Sequence, residues 1–222
     1  MANQMALPTT PGVDRDARLW NRFAKGYAKQ AIGNPQAYEE KLARTQTYLT
    51  PESRVLEIGC GTGSTALVHA PHVRHILATD VSDAMIEIAE EKRVRASIGN
   101  VSFTRANARE SLRAGEQYEA ILALNLLHLL DDWQDVVRAA SARLVEGGVF
   151  VTSTPCLAGR HQWLRVVAPL GARVGLIPRI RFLHQGEVLR ALSAAGFVIE
   201  EAWQADRRNG LFVVARKRHE PR

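Results

Sequence analysis

The stretch "VLEIGCGTG" at residues 55–63 decides how the chain is read. A short apolar run stops in three glycines spaced one apart, Gly59, Gly61 and Gly63. Glycine costs regular structure conformational entropy, so these positions demand bare backbone. The run reads as a strand, Arg54–Ile58, followed by a loop and then a helix over 64–70.

Outward from this loop the pattern alternates. Strands are expected at 74–79 (ending at Asp80), 101–105, 118–124 and 149–154. Between them, Ser82 caps a helix with Met85, Ile88 and Ala89 inward. Trp133, Val136, Val137, Ala140 and Leu144 give an amphipathic helix over 132–144. A helix at 185–195 stops at Gly196, and strands at 197–203 and 210–216 close the chain, joined through "DRRNG". Upstream, residues 1–14 read as a loose tail, 15–30 as a helix with an aromatic face, and Asn34-Pro35 opens a further helix. The alternation predicts an α/β fold, a Rossmann-like doubly wound sheet of seven strands, mostly parallel. The last two strands have no helix between them, so a hairpin and one antiparallel edge strand are expected.

The bulk properties suit one domain over residues 1–222, with 1–34 as tail and cap helix. The 222 residues are 46% hydrophobic and 23% charged, an ordinary globular balance. The net charge of +6 is spread along the chain without a long basic run, so nucleic acid is not an expected partner. Two distant cysteines, Cys60 and Cys156, indicate neither a disulfide framework nor a metal site. Pro8, Pro11, Asp14 and Asp16 stand where a signal peptide needs an apolar core, and a cytoplasmic location is expected.

The loop follows the first strand and precedes a helix, the context a glycine motif needs. A dinucleotide fingerprint is GxGxxG; here the spacing is GxGxG, with Ser64 at the third position. A P-loop ending is missing too, so a pyrophosphate ligand is disfavoured. Asp80 ends the second strand and can accept hydrogen bonds from both hydroxyls of a ribose. Together these features suggest an adenosine cofactor without a pyrophosphate.

At this point the chain resembles class I S-adenosylmethionine-dependent methyltransferases. "VLEIGCGTG" with "ATD" is similar to their first motif and following acidic position; "YEAILALNLLHLL" and "RLVEGGVFV" continue the likeness. The resemblance implies S-adenosylmethionine as cofactor and S-adenosylhomocysteine as product. It implies that Gly59, Cys60 and Gly61 pass beside the methionine part, and that Glu57 fixes its amino group. Asp80 would bind the ribose, Val81 and Met85 the adenine, and Asn107 with Ala108 the adenine edge. Asn125 would lie near the methyl, and Tyr27 would fold over the cofactor. Other readings stay open: backbone capping for Glu57, a helix N-terminal charge for Asp80, a turn for Asn107 and packing for Tyr27.

The sulfonium methyl is already electrophilic, so the enzyme's main task is alignment, plus proton removal where the acceptor needs it. His128 is the one candidate base, although its leucine neighbours favour a structural role; His161 and His184 are equally ambiguous. Asp131, Asp132 and Asp135 read as helix capping charges rather than metal ligands. The acceptor is expected to be a small apolar or anionic molecule. Residues 155–183 interleave apolar side chains with arginines, which suits a lid, contact with an anionic membrane surface, or a cover for the core. Alternatives are an RNA, protein or lipid-surface methyltransferase, or a nicotinamide-dependent oxidoreductase on a related sheet.

Overall fold

A computed structural model describes residues 11–113, 115–156, 171–173, 177–205 and 210–219. Residues 1–10 of the expected tail, most of the 155–183 segment with His161, and most of the "DRRNG" turn lie outside the described residues.

Seven strands form one sheet: β1 (Arg54–Ile58), β2 (His75–Asp80), β3 (Val101–Arg105), β4 (Tyr118–Leu124), β5 (Leu144–Thr154), β6 (Phe197–Trp203) and β7 (Leu211–Lys217). Their order is β3-β2-β1-β4-β5-β7-β6. The first five are parallel, and β7 runs antiparallel to both β5 and β6. Strand order reverses between β1 and β4, so their carboxyl ends open a crevice where ligands of such sheets bind.

One expectation is corrected here. The antiparallel strand is not an edge: β7 inserts between β5 and β6, and β6 is the outer member. Burial explains it. Leu211–Ala215 is buried on both faces, whereas β6 after the buried Phe197 alternates half-buried and exposed positions, as an edge strand with one wet face does.

The helices are α1 (Pro11–Lys29), α2 (Pro35–Gln46), α3 (Ser64–His69), α4 (Asp83–Arg95), α5 (Ala108–Ser111), α6 (Trp133–Arg143) and α7 (Gln185–Ala194). Helix α1 starts inside the stretch expected as a tail, because Pro11 supplies a preset first helical position. Asn34 caps α2 by accepting from the Ala37 amide at 2.9 Å, and Ser82 caps α4 by accepting from the Met85 amide at 3.1 Å.

The period-2 alternation of the strands splits the core between the two sheet faces. Leu56, Ile58, Ile121 and Phe150 pack with Trp133, Val137, Val188 and Phe197 on the α6/α7 side. Val55, Ile76, Leu122, Val151 and Phe212 pack with Ala66 and Val73 on the α3 side. Phe150, Phe197 and Phe212 are fully buried, each contributing about 1.5–3 kcal/mol. Glu57 shares the face of Val55, so its carboxylate enters the α3 side of the crevice. Among the described residues no helix is long and apolar enough to cross a membrane.

Candidate cofactor and acceptor site

The three glycines answer to different neighbours. All have positive φ, +68° at Gly59, +54° at Gly61 and +74° at Gly63, a region that disfavours a Cβ. A Cβ at Gly59 would come within 2.8 Å of Leu126 Cδ1, and one at Gly63 within 2.6 Å of the Phe103 ring and 2.8 Å of Ala89. At Gly61 the nearest atom is Tyr27 Cε1 at 3.8 Å. Gly63 is therefore bare for packing between the loop and α4/β3. Gly59 and Gly61 form the floor of the crevice.

Asp80 ties this floor to the next helix. Its Oδ2 accepts from the Gly61 amide and its Oδ1 from the Ser82 amide, both at 2.9 Å. Burial raises its carboxyl above the usual range, while the Ser82 and Gly61 hydrogen bonds oppose that shift. Each oxygen keeps a second lone pair for a ligand hydroxyl. Asn21 of α1 completes the arrangement: its Oδ1 accepts from Ser82 Oγ at 2.6 Å and the Ala84 amide at 3.2 Å. Helix α1 is thus fastened to the amino end of α4 and lies over the crevice.

The crevice has two compartments that share Tyr27, Gly59, Gly61, Leu124 and Asn125. The narrower, about 160 Å³, is lined by Asp80, Val81, Met85, Asn107, Ala108, Trp20 and Leu126. The wider, about 770 Å³, is lined by Glu57, Cys60, Tyr38, Lys41, Lys92 and Ser153. Every residue expected at the cofactor lines one compartment or both. His128 lines neither.

Glu57 is the unusual group. It is 3% exposed, and its Oε2 has no hydrogen-bond partner. Burial, then the nearby Asp80 charge, push its carboxyl up to about 8, against the Ala66 amide. An unpaired buried carboxyl oxygen is costly and marks a place for a missing partner. The ammonium of S-adenosylmethionine would supply one, and the Asp80 carboxylate suits a ribose, so the residues present fit that group.

Two lysines that no motif announced line the same compartment. Lys41 of α2 donates to Ser153 Oγ at 3.0 Å, and burial lowers its ammonium. Lys92 of α4 donates to Thr62 Oγ1 at 2.8 Å and Ser64 Oγ at 3.0 Å, pinning the end of the glycine loop.

The remaining expected residues fall into place by their contacts. Burial raises the Cys60 thiol well above its ordinary value. Asn107 closes a capping box: its Oδ1 accepts from the Arg109 and Glu110 amides at 3.0 Å. Asn125 takes positive φ, +54°, and its amide donates to the Ser153 carbonyl at 2.6 Å. His128 has a buried Nδ1 without a partner, and burial lowers its imidazole to about 4. Asp131 pairs with Arg179 and Arg181, and Asp132 and Asp135 with Arg109. Asp132 occupies the N-cap of α6 without a side-chain capping bond, so its carboxylate serves an ion pair instead of the expected cap.

A family model described as a methyltransferase domain matches residues 27–202. The uncharacterized methyltransferase YcgJ of Bacillus subtilis is 29% identical over 100 residues, 45% of this chain and 40% of that protein. The malonyl-[acyl-carrier protein] O-methyltransferase of Bacillus cereus is 30% identical over 137 residues, 61% of this chain and 48% of that protein. The chain spans about half the length of the curated relatives it matches. Magnesium protoporphyrin IX methyltransferase from Synechocystis, solved with bound SAH, is similar in fold, with a TM-score of 0.64 at 18% identity, covering 94% of this chain and 95% of that one.

Proposed function

We propose, for a chain that belongs to the methyltransferase domain family, that it transfers a methyl group from S-adenosylmethionine to a small apolar or anionic acceptor. The cofactor leaves as S-adenosylhomocysteine. One observation carries the reading: Asp80 and the unpaired Glu57 stand in two compartments of one crevice, joined across Gly59, Gly61 and Asn125.

The cofactor supplies a methyl on a sulfonium, which an acceptor atom displaces in line. The chain's own residues bind and orient. Asp80 accepts the ribose hydroxyls while its amide bonds keep the carboxylate fixed. Val81, Met85 and Ala108 line the apolar slot for the base. Glu57 gives up its proton and takes the ammonium. Lys41, which has no carboxylate partner among the described residues, gives the wider compartment a cation for a carboxylate. Tyr27 and Asn125 stand at the junction of the compartments and hold the reacting atoms close, the largest rate term such a site offers. His128 lies outside this lining, so no base is assigned to it.

One relative is a malonyl-[acyl-carrier protein] O-methyltransferase, which makes oxygen acceptors the first to test. The test incubates the protein with methyl-labelled S-adenosylmethionine and a panel of small carboxylic acids and phenols. Label transferred to a panel member by the wild type and lost in Asp80→Ala supports the reading. Label that enters only RNA or protein would overturn the small acceptor.

A further inference from the structure

A second cleft lies apart from Glu57 and Lys41. It is about 830 Å³ in volume and is bounded by α1, the amino ends of α6 and α7, and residues 179–183. Among the described residues five arginines line it, Arg15, Arg173, Arg179, Arg181 and Arg190, against two carboxylates, Asp131 and Glu187.

The carboxylates offset this charge only in part, since Asp131, Glu187 and the adjacent Asp16 face five guanidinium groups. Asp131 is shared, with Arg179 Nη1 at 3.0 Å from one oxygen and Arg181 Nη2 at 2.9 Å from the other. Glu187 is engaged in capping α7, accepting from the His184 amide at 2.8 Å. Arg173 and Arg190 have no carboxylate partner among the described residues; Arg15 feels the charge of the neighbouring Asp16, but its Nη2 is buried without any hydrogen bond. An unpaired buried guanidinium nitrogen is costly unless a ligand meets it.

Two helix ends add to the field. Trp133 and Gln134 of the first turn of α6, and Glu187 of the first turn of α7, line the cleft. Asp132 leaves the α6 end without a side-chain cap. The positive ends of two helices and an excess of arginine forks suit an anion that offers several oxygens at once.

We propose that this cleft binds a phosphate-bearing anion. Guanidinium forks match phosphate oxygens pairwise, and a single carboxylate would leave most of the arginines unmet. Arg179 lines both this cleft and the Asp80 compartment, so the two cavities are neighbours. The site is independent of the methyl-transfer reading.

Inorganic pyrophosphate is the probe, titrated calorimetrically into wild-type protein and into Arg173→Gln/Arg190→Gln. Both positions are exposed, so the fold tolerates the change. Saturable binding that weakens with salt, and that weakens about tenfold or more in the variant, supports the site. The thermal melting midpoint of the same variant should stay unchanged, which reports an intact fold. A second arm uses phosphatidylglycerol vesicles. Vesicle binding that the variant loses, with pyrophosphate unable to compete, assigns the phosphate to a lipid headgroup; competition by pyrophosphate assigns it to a soluble ligand. No binding of either probe, or equal binding by the variant, overturns the proposal.

Discussion

The Gly61 amide donates to Asp80 Oδ2 at 2.9 Å, so the glycine loop and the second strand are one unit. The same carboxylate holds the Ser82 amide at the start of α4. The helix-end role open to Asp80 in the sequence is met by this bond, and the proposed ligand role would use the lone pairs that remain on the same carboxylate. Asp80→Ala should lower stability by about 1–3 kcal/mol, because two part-buried amides lose their acceptor. Asp80→Asn, which keeps an acceptor oxygen, should lose less. Urea denaturation of the two variants checks the order; equal losses would contradict it.

Glu57 should make cofactor binding sensitive to pH. Its carboxyl is pushed up to about 8 by burial, so below that pH the ligand-free protein holds a proton that an incoming ammonium must expel. Affinity for S-adenosylhomocysteine should rise from pH 6 toward pH 8 by up to about tenfold per unit. Glu57→Gln should bind more weakly and with a flat profile. The sign for stability is opposite: the native state binds the extra proton, so ligand-free stability falls as pH rises from the ordinary carboxyl range to about 8. A pH series of binding and melting on both proteins checks this, and a wild-type profile as flat as the variant's would refute it.

Gly61 and Gly63 should separate by substitution. Gly63→Ala adds a Cβ within 2.6 Å of Phe103 at φ +74°, so overpacking joins backbone strain, a loss of about 3 kcal/mol. Gly61→Ala meets only Tyr27 at 3.8 Å, a loss of about 1–2 kcal/mol from strain alone. Urea midpoints read the difference; the reverse order would show that the loop is packed otherwise.

His69 sets an acid limit. It is fully buried, neither ring nitrogen has a partner, and burial lowers its imidazole to about 4. Its folded value lies below the ordinary one, so the native state binds fewer protons and stability is lost as pH falls from about 6.5 toward 4. His128 adds in the same direction. His69→Leu should flatten this acid limb in thermal melts between pH 7 and pH 4; an unchanged limb would exclude His69 as its source.

Much of the crevice was legible because its signals are local. The glycine spacing, Asp80 at a strand end and the Ser82 cap all lie within short stretches around β1 and β2. Asn21, Lys41 and Lys92 were not legible: each acts on a partner distant in sequence, as Asn21 does on Ser82 and Lys41 on Ser153. The role of Gly63 depends on Phe103, which no loop motif encodes. The place of β7 left a trace in the unbroken apolar run Leu211–Ala215, but a hairpin partner and an interior strand share that pattern, and only pairing with β5 decides between them.

Equilibrium binding of S-adenosylhomocysteine, read by calorimetry at about pH 8, is the most direct test of cofactor recognition at Asp80. The prediction is saturable binding at one site per chain, with a micromolar dissociation constant, lost in Asp80→Ala. No heat from the wild type, unchanged binding by Asp80→Ala, or tight binding of NADH in its place would contradict it.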